Sequence, residues 1–351
     1  MERHVMGNER RTDGASGSRS IRERIRIDPF VVAMAATALA GFLVPGPGAP
    51  SSPLRLQMVT QVGIALIFFV HGAAFPRQVI VENARRWPVH LLIQGTTFVL
   101  FPLIGLVFYY SLGPFLSDSL RLGFFFLAAL PSTISSAVAM TAAARGNVPV
   151  AVFNASLSGL IGLVVTPALL SMIGSSGTGS LSYQQALIDI AQVLLLPFAA
   201  GQLCRPLIAD FITRHKPKIT RLDRGVILLI VYTAFASSTA AGVWSTVSPV
   251  QLAGTIALVM MLLAVALVLV TLAARAIGLS RHDEVSVVFC GSTKSLANGA
   301  PMAQVLFAGS GAIGLILLPL MLYHQLQLIA CALLAQRYAG QAASEEANET
   351  D

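Results

Sequence analysis

The sequence is dominated by a series of apolar runs, each about twenty residues long, which is the length that an α-helix needs to cross a bilayer. The runs are continuous and do not alternate with polar residues, so they predict membrane-spanning helices and not the strands of a barrel. Hydrophobic residues make up 55% of the 351 residues and charged residues only 11%, a balance that soluble domains do not have. The fold class is therefore an all-α polytopic membrane protein.

Ten such runs are separated by short connections of Gly, Pro, Ser or charged residues. The first opens at Asp28-Pro29, a capping residue followed by proline, and stops at Pro45-Gly46-Pro47-Gly48. Residues 1–27 are polar and Arg-rich and predict a disordered cytoplasmic tail, and residues 337–351 predict a second cytoplasmic tail. The other nine runs occupy residues 56–75, 87–110, 120–144, 148–173, 183–204, 224–243, 250–276, 283–308 and 311–336.

Basic residues are distributed as a multi-pass topology requires, because Lys and Arg accumulate in cytoplasmic loops. Of the 23 lysines and arginines, all but Arg55, Arg121 and Lys294 fall on the cytoplasmic side if both termini are inside. This predicts an integral protein of a bacterial-type inner membrane, in contact with membrane lipids. The basic residues form no stripe with interleaved aromatics, which argues against a nucleic-acid partner. Six of them are predicted to lie in one central inner loop: Arg205, Arg214, Lys216, Lys218, Arg221 and Arg224.

The fourth and ninth runs each carry a polar cluster at mid-depth and are predicted to be broken helices. Because these runs hold equivalent places in residues 28–173 and 174–336, the chain is predicted to contain two inverted five-helix repeats whose broken helices cross. Crossing helix ends leave backbone groups at mid-membrane that can bind a solute or ion, whereas the alternative is ordinary packing of small residues. The candidate binding residues in these breaks are Ser132, Thr133, Ser135, Ser136, Ser292, Thr293, Lys294, Ser295 and Asn298.

Lys294 lies near the centre of a span, where a lysine costs about 2.5–3.5 kcal/mol on insertion scales. Asp283 is eleven residues away, or about 16 Å along a helix, which is too far for the lysine stem to reach the inner surface. Snorkelling is therefore disfavoured. Two interpretations remain open, a functional cation and a structural tether in which carbonyls at a broken helix end hold the ammonium.

Short motifs resemble those of the bile acid:sodium symporter superfamily, also called solute carrier family ten. Arg145-Gly146-Asn147-Val148 followed by Thr166-Pro167 is similar to that family's fifth-helix entrance, and Tyr323-His324-Gln325 is similar to a motif in its last helix. The Asp28-Pro29-Phe30 start and the Ser292-Thr293-Lys294-Ser295 element resemble its SBF-like branch, which includes the divergent seventh member of the vertebrate family. The resemblance covers about residues 28–336 and implies a panel domain and a core domain. It also adds candidate binding residues, namely His324, Gln325, Thr97 and Asn154.

The sequence departs from the sodium-coupled members of that family at the positions that their sodium ligands would occupy. Hydroxyl positions fall on Ala151 and Ala155, the acidic position falls on Cys290 or Val288, and a glutamine position falls on Lys294. Sodium prefers oxygen ligands with net negative charge, so a site that loses a carboxylate and gains an ammonium should not hold it. Conventional sodium coupling is therefore not expected.

We predict a secondary transporter of an organic or inorganic anion that works by alternating access, with Lys294 in place of the coupling cation. Two alternatives stay open: a non-transporting membrane regulator of calcium homeostasis, and a sodium-dependent symporter of bile-acid type. No hydrolase motif and no pair of mid-span aspartates is present, so an enzyme is not predicted. The three cysteines show no ligand spacing, so neither a metal nor another cofactor is predicted.

Overall fold

The computed structural model describes residues 29–75, 86–173 and 188–349, with side chains up to residue 342. The predicted N-terminal tail, the capping residue Asp28 and the junction between the two repeats lie outside these described residues. Two long helices, Trp87–Ser111 and Ile188–Arg214, each contain a π-turn, at Thr96–Leu100 and Ala191–Leu195 respectively. The described residues form twelve α-helices: α1 Pro29–Leu43, α2 Leu56–Ala74, α3 Trp87–Ser111, α4 Asp118–Ala129, α5 Ile134–Ala143, α6 Val148–Ser171, α7 Ile188–Arg214, α8 Lys216–Ala240, α9 Pro249–Ala276, α10 Arg281–Ser292, α11 Leu296–Leu306 and α12 Ile313–Glu349.

Six of these helices, α2, α3, α6, α7, α9 and α12, are long and apolar enough to cross a membrane. The pair α4 and α5 is bent by 56° at a short break and would make a seventh span. An all-helical, multi-pass membrane protein is therefore confirmed. The finer prediction of ten spans in two inverted repeats remains a proposal.

Three helix ends extend well beyond the sequence prediction. α7 continues to Arg214 and α8 starts at Lys216, so His215 is the one residue between them where a basic loop was expected. Lys and Arg are good helix formers, and Pro217 lies in the first turn of α8, where a missing N–H is tolerated. Likewise, α12 continues through the predicted C-terminal tail to Glu349.

The helices pack in two groups. In the first, α2 packs against α7 and α1 packs against α8. In the second, α4 packs against α3 and α12, while α10 packs against α9 and α6. α8 also contacts α11 and α12 and so joins the two groups. The broken helices α4/α5 and α10/α11 therefore lie inside the second group.

Candidate functional site

The two helix breaks meet in the interior of the second group. Residues 130–133 separate α4 from α5, and residues 293–295 separate α10 from α11. The Ser295 N–H donates to the Pro131 carbonyl at 3.0 Å, and the hydroxyls of Ser132 and Thr293 are 3.2 Å apart. Each break thus supplies hydrogen-bond partners for the other, and the side chains of Ser132 and Thr293 are buried.

The Lys294 side chain is fully buried at this crossing, and its ammonium is held by the backbone of other helices. Nζ donates to the carbonyl oxygens of Ala128 and Leu130, each at 2.8 Å, and of Thr97 at 3.1 Å. It also lies 4.1 Å from the centre of the Phe101 ring, close enough for a cation–π contact. An ammonium has three N–H donors, and all three have acceptors here. This is the geometry that the tether interpretation of Lys294 described.

The last carbonyl groups of α4 have no N–H donor in their own helix, because the helix ends at Ala129. Two of them accept from Lys294. The Ala129 carbonyl accepts from the Thr166 hydroxyl at 2.8 Å, and the Pro131 carbonyl accepts from Ser295. Because carbonyl groups give a helix C-terminus a partial negative charge, the lysine acts as a cationic cap on α4.

The third acceptor of Lys294 is available because of the π-turn in α3. At the end of this turn the Phe101 N–H donates to the carbonyl five residues earlier. The next bond of the same type would join the Thr97 carbonyl to the nitrogen of Pro102, which carries no hydrogen. The Thr97 carbonyl is thereby left without a partner in its own helix and accepts from Lys294.

Two side chains of α12 hold the backbone of the second break. The Gln327 amide accepts from the Lys294 N–H at 2.8 Å and donates to the Lys294 carbonyl at 2.9 Å. The Tyr323 hydroxyl donates to the Ser292 carbonyl at 2.6 Å. Both side chains are completely buried. Neither residue was predicted as a site residue. A glutamine four residues after a tyrosine in an apolar span was the sequence signal that could have indicated a polar contact inside the bundle.

Replacing Gln327 with leucine is expected to destabilise the fold by about 2 kcal/mol or more, since two buried backbone groups lose their partner. Thermal unfolding in detergent measures the effect. Gln325→Leu is the matched control, because the amide oxygen of Gln325 is buried without a partner and its nitrogen contacts only the Met34 sulfur at 3.8 Å. Equal unfolding temperatures for the two variants would contradict a stabilising role of the two hydrogen bonds between Gln327 and the Lys294 backbone.

The other candidates from the broken helices fall into two sets. Ser292 and Thr293 are buried and donate to carbonyls of their own helix, and the Ser295 hydroxyl accepts from the Asn298 N–H. Ser135 is exposed at the start of α5, and the buried hydroxyl oxygen of Ser136 has no hydrogen-bond partner within the described part of the chain. The remaining polar residue of this break, Thr133, is buried and precedes α5 as its N-cap.

Asn154 belongs to a separate polar cluster between α3 and α6. Its side chain lies 3.0–3.2 Å from Nδ1 of His90, and the Gln94 amide donates to its backbone carbonyl at 3.1 Å. The His90 ring stacks on Phe153 at 4.1 Å between centroids. The stacking and the contact with Asn154 give the His90 ring the partners that a packed histidine requires.

The motif residues of the last helix separate in the structure. His324 Nδ1 lies 3.0 Å from the Gln327 amide nitrogen, and the same amide binds the backbone of Lys294. Gln325 instead points toward Met34 of α1. At the predicted positions of lost sodium ligands, the Cys290 thiol donates to the Ala151 carbonyl at 3.7 Å. A buried contact between a thiol and a backbone carbonyl thus lies at the positions where the family resemblance places carboxylate and hydroxyl ligands of sodium-coupled members.

A charged cluster fixes the start of α10. Asp283 accepts from Arg86 at 2.8 Å and from the Asn147 amide at 2.8 Å. Glu284 accepts from Arg275 at 3.0 Å and from the Tyr338 hydroxyl at 2.9 Å. These two carboxylates are mostly buried and paired, and they join α10 to α3, α6, α9 and α12. This cluster was not among the residues predicted from the sequence.

A bundle of apolar helices with two crossed breaks at its interior is the architecture of a secondary membrane transporter. The chain belongs to the SBF-like CPA transporter family, whose pattern it matches over residues 28–340. The predicted resemblance to the SBF-like branch is therefore confirmed.

Three relatives cover nearly the whole chain. "Uncharacterized protein PA2026" of Pseudomonas aeruginosa is 46% identical over 320 residues, which are 91% of this chain and 95% of that protein. "Putative symporter YfeH" of Escherichia coli is 39% identical over 323 residues, 92% of this chain and 96% of that protein. "Sodium/bile acid cotransporter 7" of Xenopus tropicalis is 31% identical over 316 residues, 88% and 90% respectively. Transport of small-molecule solutes is thus the function of the family. Membership of this family favours transport over catalysis for the present chain.

Proposed function

We propose that this protein is a sodium-independent secondary transporter of an anionic solute, with the Lys294 ammonium as a permanently resident cation. The observation that carries the proposal is the set of three backbone carbonyls, with an aromatic ring beside them, around Nζ. Rings of carbonyl oxygens are what proteins use to replace the hydration shell of a monovalent cation. A cation that is covalently attached cannot cross the membrane, so no ion gradient can be coupled through this position.

The proposed transport cycle is alternating access between two helix groups. The first group would be the panel domain (α1, α2, α7 and α8) and the second the core domain with the crossing. The packing pairs support inverted repeats, because exchanging the two repeats turns the pair of α2 with α7 into the pair of α8 with α1, and both pairs are in contact. The pair α4 with α12 likewise corresponds to α10 with α6. We place both termini in the cytoplasm of a bacterial inner membrane, on the charge asymmetry of the loops.

Two features favour a negative solute. Lys294 carries a charge in a low-dielectric interior, and among the described residues no carboxylate lies within ion-pair distance of it. The N-terminus of α5 follows the contact between Ser132 and Thr293, and it carries the exposed Ser135 and a buried Ser136 hydroxyl that bonds to no described residue. Helix N-termini attract anions through free N–H groups and the helix dipole. The ammonium has no donor to spare, so its effect on a solute acts through the field and not through contact.

Flux into proteoliposomes tests this proposal. Purified protein is given radiolabelled sulfate, benzenesulfonate, taurocholate or gluconate, with choline as the cationic control and mannitol as the neutral control. We expect at least one anion to accumulate equally in potassium and sodium buffers, and not in protein-free liposomes. Uptake that requires sodium would instead identify a sodium-dependent symporter. Uptake of choline or mannitol alone would contradict an anionic solute, and no uptake at all would favour the membrane-regulator alternative.

A further inference from the structure

The end of α7 and the start of α8 form a corner, residues 203–222, that carries five basic residues against one acidic residue, Asp210. His215 is the one residue between the two helices. Its N–H donates to the Phe211 carbonyl at 3.0 Å, and its carbonyl accepts from the Lys218 N–H at 2.9 Å, so backbone hydrogen bonds continue through the corner. The basic side chains of this basic corner are therefore held on helical backbone and not on a long loop.

One face of α7 leads to the basic corner as an exposed apolar stripe. Leu203, Leu207 and Phe211 follow at intervals of four residues, which places them on the same side of the helix. Their side chains are 80%, 84% and 60% exposed. The opposite contact of α7 is with α2, where Gly201 lies against the backbone of Phe69. In a membrane-spanning helix, apolar side chains that face away from the other helices contact the acyl chains of lipids.

The length of α7 places the end of this stripe at the depth of the lipid headgroups. Ile188–Arg214 is 27 residues, or about 40 Å of helix, whereas the hydrocarbon core takes about 30 Å. Arg214 follows Phe211 by three residues and so continues the same face of α7 beyond the hydrocarbon. Lys216 starts α8 two residues later, and both side chains are exposed. Two cations thus lie where an apolar stripe meets the headgroup layer.

The basic corner also offers further positive charge to a ligand at this position. Lys218 and Arg221 are exposed in the first two turns of α8. Clusters of Lys and Arg next to a membrane span attract anionic lipids, and each such residue is worth about fivefold in affinity. A water-soluble anion would match these charges but would leave the apolar stripe unused. A phospholipid with a net negative charge matches both features, because its acyl chains are apolar and its headgroup is an anion.

From this arrangement we infer that the basic corner is a binding site for an anionic phospholipid. The phosphate lies between Arg214 and Lys216, and an acyl chain runs along the stripe of Leu203, Leu207 and Phe211. The lipid belongs to the inner leaflet if basic loops are cytoplasmic. The inference does not depend on which solute is transported or on how transport is coupled, since the basic corner is separate from the crossing at Lys294.

The test measures lipid binding by native mass spectrometry of purified protein that has been stripped of lipid in detergent. We expect wild type to bind dioleoyl phosphatidylglycerol at least about tenfold more tightly than dioleoyl phosphatidylcholine. Arg214→Gln/Lys216→Gln should weaken binding of phosphatidylglycerol by about 25-fold and leave phosphatidylcholine unchanged, since only the charge is removed. Arg214→Lys/Lys216→Arg should bind as wild type does. The matched control is Arg55→Gln/Arg337→Gln, which removes two exposed basic residues elsewhere and should not weaken binding.

Several results would overturn the inference. Equal affinity of wild type for the two lipids, or unchanged affinity of Arg214→Gln/Lys216→Gln for phosphatidylglycerol, shows that the basic corner does not select an anionic lipid. An equal loss in Arg55→Gln/Arg337→Gln shows general attraction by net charge and not a site. Displacement of the lipid by an equal concentration of glycerol 3-phosphate shows a site for free phosphate. Unfolding temperatures of the variants without lipid should equal that of wild type, which confirms that lost binding is not lost fold.

Discussion

Lys294→Met is expected to lower the free energy of unfolding by roughly 3 kcal/mol, since three buried carbonyls lose their donor. Each unsatisfied buried acceptor costs about 1–3 kcal/mol, with values for membrane helices near the low end. Removal of the ammonium returns its desolvation energy, which works in the opposite direction. The carbonyls remain buried, however, and the α4 C-terminus loses a cation worth up to about 2 kcal/mol, so the loss prevails.

If the Lys294 ammonium takes the place of a bound cation, its three carbonyl acceptors should bind a free cation once the side chain is removed. In Lys294→Ala the stem is gone and the three carbonyls can accept a small cation, so we expect the unfolding midpoint to rise with sodium, potassium or methylammonium concentration. A ligand at 100 times its dissociation constant adds about 2.7 kcal/mol. Wild type and Lys218→Ala, which removes an exposed lysine, should not respond. A variant as stable as wild type, or one indifferent to all three cations, would refute this interpretation.

Gly72→Ala and Gly201→Ala are expected to destabilise the contact of α2 with α7 by about 3 kcal/mol each. A methyl group on Gly72 would overlap the Phe198 carbonyl oxygen, and one on Gly201 would overlap the Phe69 carbonyl oxygen. Both obstacles are backbone atoms that cannot rotate away, so the two helices would have to separate. Thermal unfolding in detergent and the yield of monodisperse protein measure the loss.

Two other helical glycines serve as matched controls. A methyl group on Gly225 or Gly254 would meet nothing within 4 Å. Because alanine is the better helix former, these variants should be as stable as wild type or more stable by up to about 1 kcal/mol. If Gly72→Ala unfolded at the same temperature as Gly225→Ala, the close approach of α2 and α7 would not be a stability determinant.

Much of the helical framework could be predicted from the sequence. The apolar runs located the helices, because a segment in hydrocarbon must satisfy its backbone internally whatever surrounds it. Pro131 and the Gly291–Asn298 segment marked the two breaks, since proline and small polar residues interrupt helices locally. The helix ends around His215 were placed less well, because charged helical residues beyond the hydrocarbon region look like loop residues in a hydropathy pattern.

The candidate site was predicted in part. Lys294, Ser132 and Thr293 were named, and the structure places them together at the crossing. The carboxylates Asp283 and Glu284 and the cavity of about 630 Å³ between the two helix groups were not predicted as sites. Their meaning depends on which helices become neighbours, and a single sequence does not contain that information.

The sequence by itself determined that the chain is a membrane-embedded helical protein, that two of its helices are broken, and that a lysine lies at one break. Only the tertiary structure decided what the lysine binds. Its acceptors are backbone carbonyls of Thr97, Ala128 and Leu130, more than a hundred and sixty residues away in the chain. Every residue carries the same carbonyl group, and whether it is free depends on the hydrogen bonds of its own helix and on what packs against it.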